Sequence, residues 1–461
     1  MEQSQPVNKI GRDFNFWQFF RFALPTLATQ LFLAIFKTID DGLFVSNFVG
    51  ADALSAINIV FPLIMLMGGP GMIFAAGGSA VCARKMGEGK PEEAKRCFTT
   101  ITLLCVLSGM VMGLTCLLFQ RPLLRVLGAT ELLMEDCIVY STITFIDFCF
   151  TMSCPVFDFF YSAAGKPGMS MVASLTNGAV NIICDVIFIV VMDLGVLGAA
   201  LSTFLGSISF CTVGLIFYCN KKHEIHFTTP AKEVGTIVKD VFSVGIASFA
   251  NTLAMAAASY IANLVMLDLV GEDGVAAYAI FGYLQYIMGA MLFGFCDGVA
   301  AIFSYNYGAR NKERIRKYFW YAMKFMAVLS LIIIGICVVF REPLIALYVN
   351  KAAEPELYGI VKSGFIVASL YFLFNGVNMF GTKFFTSMGD GKRAAIMSFL
   401  RNGVLVIATI SLMPMIMGLD GVWWSFPVGE TIGFLMVGGT LYANRDNYGY
   451  GPSKLALKLD D

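Results

Sequence analysis

FTTITLLCVLSGMVMGLTCLLF, residues 98–119, contains no charged side chain. A helix of about twenty such residues, rising 1.5 Å each, crosses the hydrocarbon core of a bilayer. Runs of this kind recur along the whole chain, at 17–46, 53–80, 98–119, 133–162, 168–192, 196–219, 236–268, 274–305, 318–340, 357–388, 394–417 and 421–443. The 461 residues are 57% hydrophobic and 14% charged, with a mean hydropathy of +0.74. A soluble domain devotes roughly a quarter of its residues to charge. This chain cannot cover a water-facing surface. It predicts an all-α, polytopic membrane protein of twelve transmembrane helices.

The distribution of charge orients it. With the N-terminus inside, 23 lysines and arginines fall on the inner loops and termini and 5 on the outer side, the other four lying within or near spans. The bias places both termini in the cytoplasm and the protein in the plasma membrane. It also accounts for the basic loops without a nucleic-acid partner. The first residues, MEQSQPVNKIGRDFNFW, lack the short apolar core and small-residue cleavage site of a removable signal peptide. Twelve cysteines are scattered mostly inside spans, which predicts reduced core residues rather than a disulfide framework.

The chain is written twice. GADALSA at 50–56 recurs as GEDGVAA at 271–277, and GEGKPEEAKR at 87–96 recurs more loosely as GARNKERIRK at 308–317. GVLGAALS at 195–202 matches GLDGVWWS at 418–425. A nearly constant offset implies two pseudo-symmetric six-helix lobes. Each lobe holds an even number of spans, so the two face the same way, related by an axis along the membrane normal. The expected parts are an N-terminal lobe, 1–220, a cytoplasmic linker, 221–235, a C-terminal lobe, 236–444, and a cytoplasmic tail, 445–461. Nothing in the pattern calls for a second subunit, so the chain is expected to act as a monomer.

Carboxylates inside spans cost about 2.5–3.5 kcal/mol at a helix centre on insertion scales and mark functional positions by default. In the first half they are Asp40 and Asp41, beside Lys37 on span 1, Asp147 and Asp158 on span 4, and Asp185 on span 5. Asp41 and Asp185 precede the outer ends of their spans by eight or nine residues, which sets both about 12–14 Å below the outer boundary. Asn177, Asn181 and Asp185, spaced i, i+4, i+8, form one stripe. Thr203, near the outer start of span 6, adds a hydroxyl at that side. Lys37 lies one turn before Asp41, so a neutralised Lys37–Asp41 pair is the plain alternative to a coupling carboxylate, and Asp40 either satisfies Lys37 or faces water. Asp147 lines the same cavity or pairs with a neighbouring helix. Asp158 and Asp297, nearer the inner ends, suit solvation or gate contacts. Glu430, nine residues into span 12, is a candidate second titratable site. Asn375 and Asn378 on span 10 read as bonds between helices.

IDDGLFVSNFVGADALSA resembles the first-span signature of the multidrug and toxic compound extrusion (MATE) family, and NIICDVIFIVVMDLGVLGAALSTFLG resembles its fifth and sixth spans. GGSAVCARKMGEGKPEEAKR, SYNYGARNKERIRK and GVWWSFPVGE fit its second-, eighth- and twelfth-span endings. The ordered set covers essentially the whole chain. The resemblance implies that Asp41, Asn181, Asp185 and Thr203 form a cation site in the N-terminal lobe, holding H⁺ or, as metal ligands, Na⁺. No other cofactor is implied. Asp40 and Lys37 depart from the family pattern, an aliphatic residue being usual where Asp40 stands.

The implied activity is antiport: a small organic compound, often cationic, leaves through the cleft between lobes as H⁺ or Na⁺ enters, by alternating access. A lipid-linked sugar flippase or other metabolite exporter of the same superfamily is the alternative. A flippase would want a cavity rich in Arg and Lys, and here only Lys37 and Arg401 offer themselves. An enzyme is not expected, because the only histidines, His223 and His226, lie in the polar linker. No appended domain supports a receptor. Phe and Met, 42 and 25 in number, are numerous enough to line an adaptable pocket as well as the lipid face.

Overall fold

In a bilayer every backbone polar group must be satisfied within its own segment, so an apolar chain of this kind folds as helices. The computed structural model describes residues 9–39, 51–131, 133–349, 351 and 354–451. The first half contains α1 (Phe16–Ile39), α2 (Ala51–Met72), α3 (Gly78–Gly87), α4 (Pro91–Leu118), α5 (Gln120–Val126), α6 (Met134–Thr151), α7 (Ser153–Ala163), α8 (Gly168–Asp185) and α9 (Gly195–Cys219). The second contains α10 (Val234–Val270), α11 (Glu272–Gly308), α12 (Lys312–Val339), α13 (Arg341–Ala346), α14 (Pro355–Ser369), α15 (Phe372–Ser387), α16 (Gly391–Phe399), α17 (Val406–Met417) and α18 (Leu419–Asn444).

Among the described residues, nine helical segments are long and apolar enough to cross a membrane. A tenth is made by α14 and α15 if the pair, bent by 53°, counts as one span. The other two expected spans are helical as well, as α2–α3 and α18.

The quoted stretch shows how such a helix is seated. Leu107, Val111, Leu114 and Leu118 of α4 are exposed and share one face, as lipid-facing residues should. The opposite face is built from small residues. A Cβ on Gly109 would crowd Phe148 and Cys149 of α6, and one on Gly113 would strike the Phe145 carbonyl. Helices approach this closely in lipid through small residues, because apolar burial alone does not drive them together there.

The duplication is visible in the elements. Helices α4 and α12 are both 28 residues long, at 91–118 and 312–339. Contacts between the halves repeat reciprocally. A Cβ on Gly87 would land on the Tyr305 carbonyl, and one on Gly308 on the Arg84 carbonyl. Gly87 and Gly308, and Arg84 and Tyr305, are equivalent positions at the offset of the repeat, so the contact is the self-complementary kind a two-fold axis produces. In the same way Gly77 abuts Val241 and Gly245 of α10, while Gly298 of α11 abuts Ala23 of α1. Each half thus lays its first helix on the other half. Near the face that carries Gly11 and Gly449, hereafter the terminal face, the halves meet backbone to backbone.

Two lead-in segments reinforce that face. Before α1, the Gly11 carbonyl accepts from Arg314 Nη1 at 2.6 Å and Asp13 bonds Lys317 at 2.7 Å, both on α12. Before α10, the Thr228 and Ala231 amides donate to Thr99 and Thr100 of α4 at 3.0 and 2.9 Å. The same strap is made twice. All twelve cysteines are free thiols, eight of them buried.

Candidate functional site

On α6, Asp147 and Thr151 are one turn apart, and Thr151 Oγ1 donates to Asp147 Oδ2 at 2.5 Å. Ser207 Oγ, on α9, donates to the same oxygen at 3.0 Å. Asp147 is 3% exposed, and its second oxygen, Oδ1, is buried without a hydrogen-bond partner. Helix α8 brings Asn181 and Asp185 to the same half, 4% and 3% exposed. A Cβ on Gly206 would meet Asn177 Oδ1 at 2.5 Å and Asn181 Cβ at 3.4 Å, so this glycine is what lets the polar stripe of α8 lie on α9 beside Ser207. Asp185 ends the α-helical part of α8, and a π-turn, Val186–Val191, follows it. Such widened turns are frequent at functional sites. Thr203 sits one turn before Ser207 with its side chain exposed, and its hydroxyl donates to the Ala199 carbonyl at 3.1 Å.

The second half has a polar cluster at the equivalent place, built differently. Glu430 on α18 stands 223 residues after Ser207, the offset of the GVLGAALS repeat. Its carboxylate accepts from Asn375 at 3.3 Å and Asn378 at 2.5 Å, both on α15, and its own carbonyl accepts from Asn378 at 2.9 Å. Arg401 Nε lies 3.3 Å from Glu430 Oε1, with the two side chains 5% and 3% exposed. The acid therefore comes from the fourth span in one half and from the twelfth in the other. A guanidinium neutralises Glu430. Among the described side chains no cation is paired with Asp147. The two asparagines do bond between helices, as expected.

Of the residues singled out from sequence, Asp40 and Asp41 lie outside the described residues, and of Lys37 only its place in α1 is described. Asn177, Asn181 and Asp185 are brought to one half with Asp147. Thr151 and Ser207 were not anticipated. The only local signals for them are the i, i+4 steps Asp147–Thr151 and Thr203–Ser207, which place each on the same helix face as a residue already singled out. The role of Arg401 as partner of Glu430 carried no local signal.

One family model, MatE, matches the chain twice, at residues 25–187 and 247–410. The chain belongs to the MatE family. This MatE chain is 25% identical over 438 residues to the multidrug export protein MepA of Staphylococcus saprophyticus, covering 92% of itself and 93% of that protein. It is likewise 25% identical over 442 residues to MepA of Staphylococcus aureus strain NCTC 8325, covering 94% and 95%. Its MATE fold superposes on a crystal structure of MATE in complex with MaL6 with a TM-score of 0.88, at 22% identity, over 95% of this chain and 99% of that one. It matches the outward-facing conformation of a multidrug resistance MATE family transporter of the MOP superfamily with a TM-score of 0.87, at 22% identity, over 96% and 99%. The two matches of the family model begin 222 residues apart, in step with the repeat.

Proposed function

We propose that this MatE protein exports small organic compounds across the plasma membrane in exchange for H⁺ or Na⁺, by alternating access between two lobes with both termini in the cytoplasm. What supports the reading is a set of buried polar side chains in the first half: Asp147, held by Thr151 and Ser207, and Asn181 and Asp185 on α8, the helix that lies on α9 beside Ser207. An acid held there prefers to be neutralised by a proton or a cation. When the set is charged it attracts a cationic compound or an incoming ion, and loading with the ion removes that attraction. Each elementary charge moving inward contributes about 2.3 kcal/mol per 100 mV of membrane potential, more than one decade of accumulation. The set, with Asp41 joining it as the family resemblance implies, is the coupling site. The Arg401–Glu430 pair keeps the second half from competing for the ion.

The flippase reading is disfavoured by one observation. Lys383 and Arg401, the membrane-level cations with described and largely buried side chains, are each bound to a carboxylate, Asp297 and Glu430. Neither is free to receive a pyrophosphate.

The test is efflux of a fluorescent organic cation from proteoliposomes, driven by an imposed pH gradient or an imposed Na⁺ gradient. One gradient should drive transport in the wild type. Asp185→Asn and Asp41→Asn should reduce it at least tenfold. Gradient-independent transport, or full activity in both variants, would overturn the mechanism.

A further inference from the structure

Lys383 and Asp297 lie outside both polar clusters. Lys383, on α15, bonds Asp297 of α11 at 2.6 Å, and the two side chains are 17% and 4% exposed. The ammonium lies 4.5 Å from the ring centre of Phe293 and 5.4 Å from that of Phe159, which belongs to the first half. Both distances are within the reach of a cation–π attraction. Gly165 and Gly389, with φ of 69° and 79°, follow α7 and α15. Phe159 and Lys383 each stand six residues before their glycine and are therefore equivalent. Two equivalent positions in contact must straddle the pseudo-two-fold axis.

The seat of this ammonium has a fixed wall and a movable one. Phe293 and Asp297 are one turn apart on α11, so ring and carboxylate share a face of one helix. Ser304 Oγ, further along α11, donates to the Ser387 carbonyl of α15 at 2.9 Å and ties the two second-half helices together. Phe159 comes from α7, across the seam. In this the pair differs from Arg401–Glu430, which two asparagines of the same half enclose. The seat offers one carboxylate and two aromatic faces, and Asp297 is the ammonium's only hydrogen-bond acceptor among the described residues. Such surroundings recognise a positive charge on an apolar body rather than a count of N–H groups. Asp297 Oδ2 is buried with no hydrogen-bond partner, so the carboxylate is not saturated. A buried carboxylate is costly without a cation beside it, so whatever displaces Lys383 must itself be positive.

We propose that Asp297, Phe293 and Phe159 form an alkylammonium subsite on the axis, that Lys383 is its resident ligand, and that the ammonium group of an exported compound exchanges with Lys383 there when the halves part at the terminal face. Parting withdraws Phe159 and opens the seat, while Asp297 and Phe293 stay together on α11. The arriving ammonium takes the carboxylate, and the flexible stem lets the Lys383 ammonium swing toward water. Closure brings Phe159 back, and Lys383 regains the carboxylate as the compound moves on. Asp297 is paired throughout, and a neutral compound has nothing to offer it. The proposal rests on the export reading for the open state and for the organic cation.

Lys383→Ala removes the side chain from Cγ to Nζ, and n-propylammonium supplies the same atoms. The purified Lys383→Ala protein should melt below the wild type, and n-propylammonium chloride should raise its melting temperature. Sodium chloride at the same concentration, or n-propanol, should not. The wild type, whose seat is filled, should not respond, nor should Lys383→Ala combined with Asp297→Asn, whose seat has lost its charge. Exchange with a substrate is read by equilibrium binding of a fluorescent organic cation to protein in liposomes, without any gradient. Lys383→Met, which keeps the stem but not the charge, should bind it about tenfold more tightly than the wild type, and adding Asp297→Asn should abolish the gain. If Lys383→Ala fails to fold, this comparison carries the test. Propylammonium no better than sodium or propanol, rescue that persists without Asp297, or unchanged affinity in Lys383→Met would overturn the proposal while leaving ion-driven export intact. Absence of ion-driven efflux would leave both binding results standing.

Discussion

Glu430 illustrates what one buried charge costs when its partner is removed. The pair with Arg401 is nearly inaccessible to solvent, and Asn375 and Asn378 complete the shell of the carboxylate. Glu430→Gln leaves the guanidinium unbalanced, which should lower stability by roughly 3–5 kcal/mol. Replacing both partners, as Arg401→Met with Glu430→Leu, should recover most of that loss, because a well-packed apolar pair is often as stable as a buried ion pair. Thermal unfolding in detergent measures both variants. A Glu430→Gln protein as stable as the wild type would show that Arg401 has another anion. At this scale the sequence was half legible. The stripe Asn177–Asn181–Asp185 followed from helical spacing alone, and its two deeper residues, Asn181 and Asp185, are buried. Ser207 and Arg401 did not follow, because spacing tells which residues share a helix face and not which helices meet. Asp41, which the family resemblance makes the centre of the site, lies outside the described residues.

Elements set how the halves close. Gly87 and Gly308 admit the backbone of the opposite half, and nothing soft stands where a methyl group would go. Gly308→Ala must displace backbone, an overpacking cost of about 1–3 kcal/mol borne only by the state closed at the terminal face. The balance should shift toward the open state by about tenfold or more, since 1.4 kcal/mol is one decade. Distances between spin labels on Glu92 and Arg316, at the terminal ends of α4 and α12, should lengthen, and efflux should fall while melting in detergent stays near that of the wild type. Unchanged distances would mean that this contact does not hold the closed state. The matching lengths of α4 and α12 were implicit in the repeated motifs. The breaks were not: the 53° bend between α14 and α15 and the π-turn after Asp185 arise where tertiary packing overrides the helical pattern.

Across the whole molecule the repeat produces exchange rather than two independent bundles. Helix α1 lies on α11, α10 lies on α2 and α3, and the straps before them bind α12 and α4. The offset between motifs announced two copies, but no single-sequence pattern says that the first helix of each copy crosses to the other. That arrangement joins the copies by packing as well as by the peptide chain. Lys221 and Lys222 lie in an exposed turn just ahead of the second strap, between α9 and α10. Cutting the gene after Lys222 and producing the fragments from separate messages should therefore still give a working exporter, with the pair co-purifying through a tag on either piece. Fragments that insert but fail to find each other would mean that covalent tethering, and not the mutual embrace of first helices, brings the copies together.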